Sequence, residues 1–271
     1  MRKKEKGILA AVLWLLTLVI FLPLYFVVIN SFKTKQESSL LEIGLPKVWN
    51  IIENYTVMFR QAKVGTAFVN SIIVSVSSVA LIILCASLMG FVLQRRKTKF
   101  TGVLKVFVIM GIILPVQIIP TFFITQKLQM EKILAYILIM TATSLPYSVF
   151  LYMGYFRSIS RELDEAACID GTGALYTFFK IIFPLAKPIT VTVLILNFMS
   201  VWNEFGVALY YLNDHEHFTL PLTIYSFFGR YSSEWNLVFS NVIVCTLPVL
   251  VLYLILQKHI IDGMTAGAVK S

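Results

Sequence analysis

The sequence predicts an all-α integral membrane protein with six transmembrane helices, and three observations carry that prediction. Of 271 residues, 58% are hydrophobic and only 14% are charged. A soluble domain carries about 25% charged residues. Mean hydropathy is +0.82. An ordinary water-soluble enzyme with a charged shell is thereby excluded, as is a disordered chain. Second, six apolar stretches stand out, at about 8–29, 68–93, 103–125, 133–156, 185–210 and 238–257. Each approaches or exceeds the roughly 20 residues that a helical span needs, and lipid offers backbone groups no partner outside a helix. Third, Lys and Arg are unevenly shared between alternate loops. With the N-terminus in the cytoplasm, 15 fall on the inner side and 8 on the outer side. That bias puts both termini inside.

The first stretch follows the basic run Arg2-Lys3-Lys4-Glu5-Lys6 and starts like a signal peptide. Its 22 residues exceed the roughly 7–15 of a signal core, and Asn30-Ser31-Phe32-Lys33 is no small-residue cleavage site. It reads as a retained span. The outer loop after it, 30–67, holds Pro46, Trp49 and Tyr55. The second stretch carries Ser71, Ser75, Ser77, Ser78, Ala86 and Gly90, small residues that let helix backbones approach. The shortest loop, 94–102, is the most basic. Pro23, Pro115, Pro120, Pro146 and Pro248 lie within apolar runs, and each removes a backbone hydrogen bond and favours a kink.

The fifth stretch is the most polar, with Asn197, Ser200, Asn203 and Glu204. Its eleven Ile, Leu, Val and Phe residues favour insertion by about 4 kcal/mol. A carboxylate at mid-membrane costs about 3 kcal/mol. The polar side of this helix is therefore expected to face protein or water. Glu204 lies roughly 24 Å along the helix from Pro188, toward the outer interface. Asn197, Trp202, Asn203 and Glu204 are candidates for lining a solute path, with helix packing as the alternative reading. In the outer loop after it, Asp214-His215-Glu216-His217 lacks a convincing third ligand for a metal site and reads as solvated.

The net charge of +9 marks inner loops and headgroup contacts, so no nucleic-acid partner is expected. Cys85, Cys168 and Cys245 are scattered and suggest neither a disulfide nor a zinc site. There is no G-x-x-x-x-G-K-[ST] loop, no G-x-S-x-G and no H-E-x-x-H. Gly171-x-Gly173 lacks the third glycine of a dinucleotide fingerprint. No catalytic constellation is present.

The inner loop 157–184 carries the strongest motif. Residues Arg161 to Ile169 predict a short helix with acidic side chains in its first turn, which suits the helix dipole. Asp170-Gly171 is a stop, with Gly171 able to take the left-handed cap. A second short helix follows, with Leu175, Phe178, Phe179 and Ile182 spaced for one apolar face. Pro184 is expected to end it, and Ala166 and Ala167 are expected to be exposed.

Glu165-Ala166-Ala167, then Gly171, then Ile181-x-Phe183-Pro184 resembles the EAA loop of bacterial ATP-binding-cassette importer permeases. Phe183 stands where the consensus has Leu. Trp202-Asn203-Glu204-Phe205, Thr219-Leu220-Pro221 and the tail from Gly263 to Lys270 resemble the carbohydrate branch, and in particular the six-span second permease subunit of maltose-type importers. The resemblance implies a type I importer fold with a cytoplasmic coupling helix between spans four and five, in a multi-pass protein of the bacterial cytoplasmic membrane. It implies division into 1–64 (first helix and outer loop), 65–260 (the ABC transmembrane type-1 domain) and 261–271 (a cytoplasmic tail). Implied partners are a homologous second permease subunit, two ABC ATPase subunits, an extracytoplasmic solute-binding protein, a sugar and membrane lipid. ATP and Mg would be bound by the ATPases, and this chain would hold no cofactor. Glu165, Ala166, Ala167, Asp170, Gly171 and Pro184 would couple to the ATPases. The rival reading is a secondary transporter driven by an ion gradient, which would be expected to show inverted repeats and mid-membrane ionisable residues.

Overall fold

The computed structural model describes residues 3–229 and 233–268, and these form helices joined by short connections. In chain order the elements are α1 (Lys3–Ser31), α2 (Lys35–Ser38), α3 (Ile51–Gln61), α4 (Val64–Arg95), α5 (Lys99–Ile113), α6 (Ile118–Lys127), α7 (Lys132–Phe156), α8 (Glu162–Ile169), α9 (Ala174–Tyr176), a π turn (Thr177–Ile182), α10 (Phe183–Leu185), α11 (Lys187–Trp202), α12 (Gly206–Tyr211), a 3-10 segment (Pro221–Phe227) and α13 (Trp235–Ala268). Arg2, Arg230 and Lys270, three of the charges used for the topology, lie outside the described residues, as does the end of the expected tail.

Four single helices are long and apolar enough to cross a membrane: Val12–Ser31, Val64–Arg95, Lys132–Phe156 and Trp235–Ile255. Two bent pairs bring the number to six if each is one span. Side chains facing away from the protein are themselves apolar, as at Leu18, Ile20, Phe107 and Ile255, so these helices are built to meet lipid.

Three expectations are corrected. The stretch 103–125 is not one helix: α5 and α6 meet at 114°. Pro115 supplies no N–H, and Leu114 before it is extended (φ −74, ψ 128), as a residue preceding proline prefers. Pro120 falls in the first turn of α6, where its missing N–H costs nothing. The stretch 185–210 is likewise interrupted, because α11 stops at Trp202 and α12 begins at Gly206. Pro184 does not end the second short helix. It lies in the first turn of α10, and the break comes at Ala186, where the two flanking helical segments turn by 78°. The π turn upstream, with its wider i to i+5 bonding, relieves the clash that the Pro184 ring would make in a regular α-helix.

The chain divides into two compact units. One comprises Met1–Phe68 and Phe218–Pro248. It is fastened by buried amides and hydroxyls. The Asn54 Nδ2 donates to the carbonyls of Ser31 and Lys33, both at 2.8 Å, and Asn236 donates to the Asn54 Oδ1 at 2.8 Å. Phe26 meets Phe239 edge-on at 5.5 Å. The Lys33 ammonium is buried and donates to the Asn30 Oδ1 (3.1 Å) and the Glu42 carbonyl (2.6 Å), satisfying a group that burial would otherwise penalise.

The second unit comprises Val69–His217 and Val249–Ser271. Its core joins Ile82, Ala86 and Leu93 of α4 to Val149, Tyr152 and Phe156 of α7, Phe178 and Ile182 of the π turn, and Val193 of α11. Gly90 permits a close approach of α4 to α7: a Cβ there would lie 2.8 Å from the Tyr152 Cβ. Gly111 does the same for α5, where a Cβ would lie 2.7 Å from Pro146 Cγ.

Candidate functional site

The motif-bearing loop folds around α8. Glu162, Asp164 and Glu165 occupy its first turn, where the exposed N–H groups and the dipole favour carboxylates. At the other end the chain reverses through a Schellman cap. The Gly171 N–H donates to the Cys168 carbonyl and the Thr172 N–H to the Ala167 carbonyl, both at 3.0 Å. Gly171 takes φ +72, the left-handed conformation its lack of a Cβ permits. The Thr172 hydroxyl donates to the Ala167 carbonyl (2.7 Å) and bonds the Thr177 hydroxyl (2.9 Å), so the cap is tied to the π turn.

Two details depart from the expected surface. Ala166 is exposed but Ala167 is buried, because adjacent residues on a helix point about 100° apart. Of the expected apolar face, Phe178 and Ile182 are buried while Leu175 and Phe179 are exposed. In the π turn the inward face is kept by residues four apart. The outer surface of the loop therefore presents Glu165, Ala166, Asp170, Ile169 at 86% exposure and Leu175 at 68%. Ile169 and Leu175 are large apolar side chains left open on either side of a glycine turn, a feature that marks a contact surface.

The α8 helix is held from behind by residues that the motif does not include. Arg95, the last residue of α4, pairs through Nε with Asp164 Oδ2 at 2.7 Å. Its Nη1 and Nη2 donate to the Ile159 carbonyl at 3.2 and 3.1 Å, and Nη2 also reaches the Ser160 carbonyl at 3.3 Å. The guanidinium lies 5.9 Å above the Phe91 ring, and Phe91 packs against Phe156 and Phe178. Arg161 in turn donates to the Gln94 carbonyl at 3.4 Å. Burial pushes the Asp164 carboxyl above the usual carboxylate range, against the opposing pull of Arg95 and Arg161. A cavity of about 400 Å³ lies here, lined by Phe91, Arg95, Asp164, Cys168, Thr172 and Thr177, among others. From sequence alone Arg95 is one basic residue among several in a short loop.

The second group of expected residues clusters at the break between α11 and α12. Asn197 is buried, and its amide donates to Ser148 of α7 (3.0 Å) and to the Val193 carbonyl (2.7 Å). Trp202 is buried and stacks on Phe198 at 5.5 Å. Asn203 is exposed, its amide donating to the Met199 carbonyl (2.9 Å). The Glu204 carboxylate accepts from the Val207 N–H (2.8 Å) and so starts α12. All four sit within one short segment, two facing the protein interior and two at the interruption.

At the opposite end of α7, Asp214 accepts from the backbone and ring of His217 and from the Lys132 ammonium. His217 also lies 3.8 Å from Glu131.

The amino-acid sequence matches, over residues 82–266, the family described as the binding-protein-dependent transport system inner membrane component. It is 34% identical over 99% of its length to the melibiose/raffinose/stachyose import permease protein MelC of Bacillus subtilis, covering 98% of that protein. It is 35% identical over 93% of its length to the multiple sugar-binding transport system permease protein MsmG of Streptococcus mutans, again covering 93%. Its fold matches a chain from a crystal structure of a bacterial ABC transporter involved in the import of the acidic polysaccharide alginate. There the TM-score is 0.80, with 20% identity, over 95% of this chain and 98% of that one. The chain, a multi-pass membrane protein with a glycine-capped helix–turn–helix at the end of α4 and α7, belongs to the family of inner membrane components of binding-protein-dependent transport systems.

Proposed function

We propose that this chain is the permease subunit of an ATP-driven importer that carries a sugar, a di- or oligosaccharide, across the bacterial cytoplasmic membrane by alternating access. The relatives named for melibiose, raffinose and stachyose import and for multiple sugar binding support the solute class. In this reading α5 with α6 is span three of six and α11 with α12 is span five, both termini are cytoplasmic, and the chain divides as 1–64, 65–260 and 261–271. A homologous second permease completes the pathway, and a solute-binding protein delivers the sugar. Two ATPase subunits bind ATP and Mg and hydrolyse the nucleotide.

The observation that carries the proposal is the α8–Gly171 turn. It presents Glu165, Ala166 and Asp170, with Ile169 and Leu175 exposed beside them, on a rigid support. An ATPase groove that took this knob would receive two carboxylates and an apolar side chain from before the glycine turn and a second apolar side chain, Leu175, from after it. Ala167 and Pro184 act from behind, setting the cap and the path of the following helix. Closure of the two ATPases would move α8 as a rigid body. At the other site Asn203 and Glu204 face the solute path, and Asn197 and Trp202 hold the helix that presents them.

Gly171→Val tests the reading. Nothing lies within 4 Å of the place a Cβ would take at Gly171, so the substitution acts through the backbone. A β-branched residue is a poor fit at positive φ, and the left-handed conformation costs about 1–2 kcal/mol. Uptake of labelled raffinose, melibiose and maltotriose is expected to collapse while the chain still inserts. If no ATPase copurifies with the wild-type chain, or if Gly171→Val imports as the wild type does, the coupling assignment is wrong. If the wild type imports none of these sugars, the solute class is wrong.

A further inference from the structure

The α8 helix is eight residues long, too short to hold its own position in water. Its C-terminal end is fixed by the Thr172–Thr177 hydroxyl bond to the π turn. Its N-terminal end has a different anchor, on a helix that is remote in sequence. The Arg95 side chain is 12% exposed. Its guanidinium takes hold of the chain on both sides of the start of α8: the carbonyls of Ile159 and Ser160 just before it, and the Asp164 carboxylate in its first turn. The anchor is itself immobile. Arg95 ends a helix of 32 residues, where the dipole favours a cation. Phe91, one turn back, is wedged between Phe156 and Phe178. A planar fork with several fixed donors suits this task, whereas a lysine offers a single point charge.

We propose that Arg95 is a positioning residue that fastens α8 to α4, so that displacement of α8 is delivered directly to a membrane-spanning helix and not only through the chain on either side of it. This rests on the reading of α8 as the coupling helix. Without the fork, α8 would still be attached through 157–161 and through Gly171, and the surface it presents would be unchanged. Pulling on it would instead extend the 157–161 connection, which has no helical structure of its own, before moving α4. The consequence is ATP hydrolysis that moves less solute, with assembly intact.

The test uses the whole complex, both permeases, both ATPases and the binding protein, in proteoliposomes. Labelled sugar imported and ATP hydrolysed are measured together, beside the melting temperature of the detergent-solubilised complex. Arg95→Ala is expected to lower solute imported per ATP by about tenfold, the size of effect seen when a coupling element is altered. Arg95→Lys is expected to fall between Ala and wild type, and both variants are expected to retain the bound ATPases. A solute-to-ATP ratio equal to the wild type in Arg95→Ala overturns the proposal. If Arg95→Ala does not assemble, Arg95→Lys and Asp164→Asn, which keep length and shape, decide by the same ratio. Failure of all three to assemble assigns Arg95 to folding alone and also overturns it. A wild-type complex that shows no ATP-dependent uptake would sink the permease reading itself, an outcome distinct from these.

Discussion

Two loops of the 69–217 unit are each pinned to a helix terminus by a cation and an aspartate, and the two pins differ in almost every physical respect. Arg95 stands at the C-terminal end of α4 and Asp164 in the first turn of α8, so both charges sit where the helix dipoles favour them. Lys132 stands at the first position of α7, where the dipole disfavours a cation, and it depends on the Asp214 carboxylate for compensation. The Arg95–Asp164 side chains are 12% and 24% exposed, against 35% and 37% for Lys132–Asp214. One pin is largely desolvated and the other more open to water. Equivalent residue pairs therefore carry unequal weight, and the location of each on its helix decides which is structural.

The largest expected effect in this comparison is Asp164→Ala. It removes the carboxylate but leaves a mostly buried guanidinium with only carbonyl partners, at a cost of about 1–3 kcal/mol. Hydrogen exchange across residues 159–169 should report it as lost protection of α8, with α7 above it unchanged. Protection equal to the wild type would show that the carbonyl contacts alone fasten the loop.

Much of this arrangement is legible in the sequence. The acidic first turn of α8, the left-handed Gly171 and the apolar spans followed from local chemistry, and local chemistry is how they are built. The Arg95 pin was not legible, because its partners lie 64 to 69 positions away, and nothing near Arg95 distinguishes it from Arg96 or Lys97. The prolines divide the same way. Pro115 and Pro146 both sit in apolar runs, but only Pro115 breaks its helix. Pro146 remains inside α7 with its ring seated against Gly111 of α5, a tertiary contact that overrides the local preference. At the fifth stretch the polar residues signalled that the helix was unusual. That Asn197 is buried depends on Ser148 of α7 alongside it, while Asn203 and Glu204 mark an interruption.

Acidification should separate the two pins by sign. The Asp214 carboxyl is partly buried, which alone would raise it, but its hydrogen bonds from Lys132 and His217 prevail and hold it well below the usual range. The stability it contributes is present above the ordinary carboxylate pKa and is lost as pH falls through its own lower value. Asp164 is held above the usual range by burial. Its contribution is complete below the ordinary carboxylate pKa and is lost as pH rises through the elevated value. Lowering pH from 7 toward 4 should therefore leave the Asp214–His217 loop in place and favour the fold at Asp164. Further acidification should release the loop. Hydrogen exchange at 212–217 and at 159–169 across that range would check the order. A loop that opens above pH 5 would mean that the Lys132 and His217 bonds do not control Asp214.

The smallest expected effect belongs to Lys132→Gln. An exposed ion pair contributes about 0.2–1 kcal/mol, and a cation at a helix N-terminus costs about 0.3–1 kcal/mol. Removing Lys132 forfeits the first and recovers the second, so the two nearly cancel. Glu131 continues to cap α7 by accepting from the N–H groups of Ile133 and Leu134 at 3.0 and 2.8 Å. The melting temperature and the exchange protection of the first turn of α7 should barely move. At Arg95 the pair and the dipole have the same sign, so no such cancellation is available there. A loss in Lys132→Gln as large as that in Asp164→Ala would mean that helix position is not what separates the two pins.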